Sequence, residues 1–182
     1  MGYPSSANVI LQDLAEASIS DIDYLLPTHV HLDHSGSCGR LAKQFPRALI
    51  YVHPIGRQHL IDPTRLIEDA TKLFGVELMG RYGSPELIND NRVRSLRDDE
   101  VLDLGKGLTL RTVWTPGHAS HHLSLSAFSL ERLGASRTYM ICGAAQADHE
   151  NKSIYILLCF NYTIKGQELR IGRSEIPASA NC

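Results

Sequence analysis

The sequence predicts a layered α/β fold, and three observations carry that reading. Short apolar runs of strand type recur, at Tyr24 to Leu26, Ala48 to Val52 and Ile154 to Phe160. Segments with helical spacing fall between them. Proline and glycine mark the joins. Interleaving of this kind favours a sheet covered by helices. The 182 residues, 43% apolar and 21% charged, suit one globular domain, taken as 1–182, with a sizeable core.

Residues 7–18 read as a helix, because Val9, Ile10, Leu11 and Leu14 share one broad face. Tyr24 to Leu26 is a short strand closed by Pro27. Ser37 to Phe45 is a second helix, stopped by Pro46. Ala48 to Val52 is a strand ended by Pro54. Asp62-Pro63 reads as a helix start, with the helix expected to run to about Leu73 before Gly75. Residues 80–100 read as polar loop. Val101 to Leu104, a Gly-Lys-Gly turn and Leu108 to Val113 form a hairpin signal. Strands are also expected at His122 to Phe128, Thr138 to Cys142 and Ile154 to Phe160.

The net charge of −2 gives no nucleic-acid surface and no attraction to an acidic membrane. No apolar run approaches the length of a membrane-spanning helix. The first residues lack a basic region followed by an apolar one, so no secretory signal is expected. Cys38, Cys142, Cys159 and Cys182 form no Cys-x-x-Cys pair. They read as reduced thiols of a cytoplasmic protein.

Histidine is the unusual residue: there are nine, three of them between positions 29 and 34. His29 and His31 are two apart, so on extended backbone both rings point to one side. Both can reach one ion at ~2.0–2.1 Å, the usual zinc–nitrogen distance. Asp33 and His34 follow where the chain bends into the next helix. His118, on the Thr115-Pro116-Gly117 turn, is the best candidate for a distant third ligand. Three imidazoles leave a fourth position open to water, which is a catalytic arrangement. Asp33 is then the candidate catalytic residue, orienting the hydroxide or accepting its proton. His121 and His122 adjoin the ligand turn, as partners of a ligand or of substrate, although packing and turn hydrogen bonds are favoured for both. His53 and His59 read as structural, Cys38 as a buried thiol, Trp114 as core packing and Asp98-Asp99-Glu100 as a solvated turn.

The string Thr28-His29-Val30-His31-Leu32-Asp33-His34-Ser35-Gly36 resembles the first metal motif of the metallo-β-lactamase superfamily. Thr115-Pro116-Gly117-His118 resembles its second. Tyr51 to Pro54 and His59 to Pro63 are similar to its glyoxalase II-like hydrolases. The resemblance spans about residues 2–128. It implies a four-layer αββα sandwich, with metals at the sheet edges and metal-held hydroxide as nucleophile. It assigns His29, His31 and His118 to one ion, and Asp33 and His34 to a second.

Two departures bear on stoichiometry. Where the family has a bridging aspartate, the matching stretch Ile141-Cys142-Gly143-Ala144 has alanine. The downstream histidine on the second ion has no match; Asp148 and His149 are weak substitutes. Met1-Gly2 falls where the family has an Asp-x-Gly turn, so the first strands and much of the second half are expected to be missing. Two dications without a bridging carboxylate repel one another with little offset. One tight zinc is therefore expected, with the second position weak or empty; iron and manganese also suit the ligand set. The expected partner is a small-molecule ester, thioester or lactone substrate. The alternative is a catalytically impaired metal-binding or interaction protein. A nuclease is disfavoured, since no basic groove is visible.

Overall fold

The computed structural model describes residues 1–104, 108–129, 139–140, 145–147 and 154–158. A short 3₁₀ turn at Pro4–Ser6 leads into α1 (Ala7–Glu16). Strand β1 (Tyr24–Leu26) is followed by the short α2 (Leu32–Ser35), α3 (Cys38–Gln44) and β2 (Leu49–Val52). Helices α4 (Pro54–Ile61) and α5 (Thr64–Tyr82) precede β3 (Val93–Ser95). The remaining strands are β4 (Val101–Asp103), β5 (Leu108–Trp114), β6 (Leu123–Ser129), β7 (Tyr139–Met140), β8 (Ala145–Ala147) and β9 (Ile154–Leu158).

The strands form two sheets, ordered β3-β2-β1-β9-β8 and β4-β5-β6-β7. In the first, β3, β2, β1 and β9 run parallel, and β8 is antiparallel to β9. Parallel neighbours need a crossover, which α2 and α3 supply between β1 and β2, and α4 and α5 between β2 and β3. The second sheet is antiparallel throughout.

The period-two geometry of a strand explains the layering. Leu25, Ile50 and Val52 point toward the helices and join Ile10, Leu14, Leu41 and Phe45 in one core. Tyr24, Leu26 and Tyr51 point the other way and meet Leu110, Leu123 and Leu125 of the second sheet. A strand buried on both faces reads as a continuous apolar run, as β1 and β2 do. The second helical layer implied by the family resemblance does not occur among the described residues. The hairpin's outward face there leaves Val101 60% exposed.

Several elements differ from the sequence reading. Helix α4 was not anticipated, because Gly56 and Leu60 alone are buried along it and the apolar periodicity is faint. His59 is therefore helical. Helix α5 runs on to Tyr82, past a break at Gly75 (φ 80°, ψ 160°), a conformation suited to glycine. Its start is one residue late: Asp62 Oδ1 accepts the Thr64 N–H at 3.1 Å, and Pro63 stands outside the helix. Residues 80–100 contain β3, which is too short to show alternation. Its predecessor Arg92 donates to the carbonyls of Ala42 (2.6 Å) and Phe45 (2.7 Å), closing the C-terminal end of α3. Cys142, Gly143, Ala144, Asp148, His149, Cys159 and Cys182 lie outside the described residues. Among those described, no helix is long and apolar enough to cross a membrane.

Leu110 is fully buried between the sheets. Leu110→Ala is expected to cost ~2–5 kcal/mol in urea unfolding with the slope unchanged, whereas Val101→Ala at the open face should cost under ~0.5 kcal/mol. Equal losses at the two positions would contradict the inter-sheet core.

Candidate metal centre

The site lies beyond the C-terminal end of β1. Pro27 and Thr28 carry the chain out of the sheet through a bend, and His31 stands on extended backbone (φ −64°, ψ 151°) just before α2. Val30 turns into the helix-side core, so His29 and His31 face the opposite way. Leu32 then starts α2 and packs with Ala70 and Met79 of α5. Gly36 ends α2 where a Cβ would come within 2.3 Å of the Leu32 carbonyl oxygen and 2.4 Å of Pro4 Cδ. Only glycine lets the N-terminal segment lie this close.

The third histidine comes from the other sheet. The loop joining β5 to β6 is held by Thr115 N–H on the His122 carbonyl (3.0 Å), and by His122 N–H on the Ala119 carbonyl (3.1 Å). The Trp114 indole N–H donates to the Ser120 carbonyl at 2.8 Å. A further bond joins the sheets, from Leu123 N–H to the Thr28 carbonyl at 2.8 Å. It brings the loop bearing His118 against the loop bearing His29 and His31.

Among the described residues, His29, His31 and His118 form the group whose donor atoms all lie within 4.8 Å of one another. His31 Nδ1 and His118 Nε2 are 3.1 Å apart. Nitrogens bonded to one tetrahedral zinc at ~2.0–2.1 Å would stand ~3.4 Å apart. The 3.1 Å spacing lies close to that value. His29 Nδ1 is held by Thr28 Oγ1 at 3.0 Å, while its Nε2 is buried without a partner. A buried polar atom left unpaired is costly unless something else, such as a cation, engages it. The three residues therefore fit a metal ion.

Asp33 and His34 sit beside this triad but engage each other, Oδ2 to Nε2 at 3.0 Å. The His34 ring is 4.0 Å from that of His29. Burial works to raise the Asp33 carboxyl, but the His34 hydrogen bond and charge outweigh it, and its pKa is lowered. His122 holds Thr115 Oγ1 through Nδ1 at 2.7 Å, and its ring lies 5.1 Å from His29. His121 lies 5.8 Å from His31, with a buried, unpartnered Nε2. Both adjoin the triad, and neither joins the three-donor group.

Burial first, then mutual repulsion, keeps these rings neutral. His29 is pushed down to about 2 and His121 to about 4, and His31 and His122 are also lowered. Neutral imidazole is the form that ligates a metal.

The sequence reading missed three features here. Thr28 was quoted in the motif without a role. Trp114 is not core packing: it is 43% exposed, stacked on His53 at 5.9 Å, and fastens the His118 loop. Tyr3 stacks on Tyr82 at 4.1 Å and 11°. Its pKa rises to about 12 through burial, then the nearby Asp33 charge, then Tyr82. His53 does prove structural, its Nδ1 accepting the Ile55 N–H at 3.3 Å. Asp98 accepts the Trp114 backbone N–H at 2.8 Å, which makes that acidic turn a structural one.

Comparison with known proteins follows the same lines. A model of the metallo-beta-lactamase superfamily matches residues 2–131. The chain is 32% identical over 121 residues to the metallo-beta-lactamase fold-containing protein ST1585 of Sulfurisphaera tokodaii, covering 64% of this chain and 45% of that protein. It is 30% identical over 138 residues to the N-acyl homoserine lactonase AttM of Rhizobium radiobacter, covering 74% and 46%. The chain thus spans about half the length of the curated relatives it matches. The crystal structure of ST1585 superposes with a TM-score of 0.53 at 31% identity, over 61% of this chain and 44% of that one. MEM-A1, a subclass B3 metallo-beta-lactamase from a soil metagenome library, superposes with a TM-score of 0.54 at 25% identity, over 75% and 48%.

The lowered histidines give a pH dependence with a definite sign. The unfolded chain takes up protons near the ordinary histidine value of 6.5, while folded His121 does so only near 4. The unfolded state therefore binds more protons between these values, and stability falls as pH drops through that window. Chelator-treated protein should lose melting temperature steadily from pH 7 to pH 4, and His121→Asn should flatten part of the slope. A melting temperature constant across the window would remove the electrostatic account.

Proposed function

The chain belongs to the metallo-beta-lactamase superfamily, and from the geometry of its histidines we propose that it is a metal-dependent hydrolase of a small ester, thioester or lactone. The single observation that carries this is the triad of His29, His31 and His118, with a buried, unpartnered nitrogen on His29. The superfamily includes hydrolases, and the relative AttM is by name a lactonase. That supports the ester and lactone class.

Zinc bound at the triad would make a nucleophile from water at neutral pH and polarise a carbonyl. The residues of the chain supply the rest. His29, His31 and His118 offer three imidazole donors from loops leaving two sheets. Thr28 fixes the ring of His29 through Nδ1, as an outer partner orients a ligand. Asp33, kept ionised by its His34 partner, is the proton acceptor nearest the triad in sequence and can orient water. A cytoplasmic location is proposed on the reduced-thiol reading of the cysteines, of which Cys38 is buried, its Sγ on Met1 Sδ at 3.6 Å.

One observation favours a catalytically weaker protein. Asp33 and His34 are paired with each other instead of standing open to a second cation. The reading is therefore of one tight ion per chain.

Native mass spectrometry of metal-stripped protein titrated with zinc should saturate at one tightly held ion. Hydrolysis of p-nitrophenyl esters, thioesters and lactones should vanish with chelator and return with zinc. His31→Ala should lower it by more than ~100-fold, beyond the cost of losing an outer partner. Two tight ions would overturn the stoichiometry. Hydrolysis that survives both chelator and His31→Ala would overturn the hydrolase reading itself.

A further inference from the structure

Among the described residues, two buried ring nitrogens have no partner, Nε2 of His29 and Nε2 of His121. A metal ion at the triad would engage the first and leave the second unsatisfied. His121 lies outside the group whose donor atoms converge. Its ring stands nearly perpendicular to that of His31, 5.8 Å away at 89°, and 6.2 Å from that of His29. A buried polar atom without a partner calls for an explanation.

His31 supplies the complementary group. Its Nδ1 faces His118 Nε2 at 3.1 Å and is therefore the nitrogen turned toward the ion. With that lone pair given to a cation, the proton of a neutral imidazole sits on Nε2 and makes it a donor. A ligating histidine almost always donates this second N–H to an outer partner. His29 has such a partner in Thr28, at 3.0 Å. Among the described residues, no hydrogen bond falls on His31 Nε2. The rings that contact His31 there are those of His29, His118 and His121, and the first two are its fellow donors. Asp33 acts on His31 by charge, but its Oδ2 is taken by His34.

The His121 ring is held from both sides. The Trp114 indole N–H fastens the carbonyl of Ser120, the residue before it. Thr115 holds the backbone and the ring of His122, the residue after it. Its Cδ2 rests on Gly56 of α4, 3.4 Å from where a Cβ would stand. His53 and His59 of the same region act on His121 by charge, and neither bonds to its Nε2.

We propose that His121 is the positioning residue of His31: once the triad holds a metal ion, His121 Nε2 accepts the N–H of His31 Nε2 and fixes the plane of that ring. The two ring edges close on each other to make this bond, which does not join them at 5.8 Å between centres. The proposal rests on the triad holding a metal and is independent of hydrolysis. His121 exchanges no proton with substrate. It joins the metal site to α4, which backs it at Gly56.

Histidine nitrogen NMR of the zinc-loaded protein tests this without a substitution. His31 should carry its proton on Nε2, in slow exchange with solvent, and His121 should carry its proton on Nδ1. A proton on His121 Nε2 would overturn the proposal, because that nitrogen could not accept. Zinc competition against a chromophoric chelator gives the energetic reading. His121→Phe keeps a flat ring without an acceptor, and His121→Gln keeps an acceptor at similar reach. His121→Phe should weaken zinc binding about 10–100-fold, the usual effect of losing an outer partner, and His121→Gln should stay close to the parent. The reverse order, or equal losses in both, would make His121 a packing residue and overturn the proposal. Affinity unchanged in both variants would overturn it as well. If the parent itself binds no zinc, the metal reading fails and takes this proposal with it, a result distinct from tight binding that ignores position 121. Should a variant fail to fold, the proton positions in the parent still decide.

Discussion

The hydrogen bond from Leu123 N–H to the Thr28 carbonyl is a small interaction with wide effect. Thr28 belongs to the segment leaving β1 of the mostly parallel sheet, and Leu123 opens β6 of the antiparallel one. Each sheet sheds a histidine-bearing loop at that point. A single bond of this kind stabilises a fold by about 1 kcal/mol. Its larger effect is registration, since it fixes how far the His118 loop reaches toward His29 and His31. The packing behind it, Leu26 against Leu110, Leu123 and Leu125, keeps the two edges from sliding.

The histidine cluster also shows how a buried polar site is tolerated. Thr28 and Thr115 each occupy the Nδ1 of a neighbouring histidine. That orients the rings, which burial keeps neutral, and leaves one nitrogen of His29 unsatisfied in a buried place. The unpaired atom is a local cost that the rest of the fold must outweigh. Its position, among three donors drawn from two sheets, is what separates a ligand site from a defect in packing.

Much of this was legible in the sequence, for identifiable reasons. The His29 to His34 string reads well because two-residue spacing on extended backbone has one geometric meaning, and His118 on its Pro-Gly turn has few competitors. Strands β1 and β2 read well because burial on both faces leaves no polar residue to blur them. Helix α4 did not, since two buried positions carry it and its N-terminal proline looks like a strand stop. Trp114 was misplaced because a lone tryptophan near a strand end suggests core packing. Its actual role depends on His53 and Ser120, which the chain brings there from elsewhere. The Tyr3–Tyr82 stack spans nearly eighty residues of separation, and no local pattern announces such a contact.

The seating of Pro4 on Gly36 carries one more consequence. Segments outside the sheets with few buried contacts ordinarily open and close at little free-energy cost. Here residues 2–6 are fastened to the start of α3 by both Ser37 bonds and are wedged against a glycine that cannot be enlarged. The amides of Ser6 and Ser37, bonded to the Tyr3 and Gly2 carbonyls, should then exchange with solvent deuterium on the slow timescale of the sheets. Residues 2–6 are thereby coupled to the histidine motif, and a label or cleavage placed there would reach it directly.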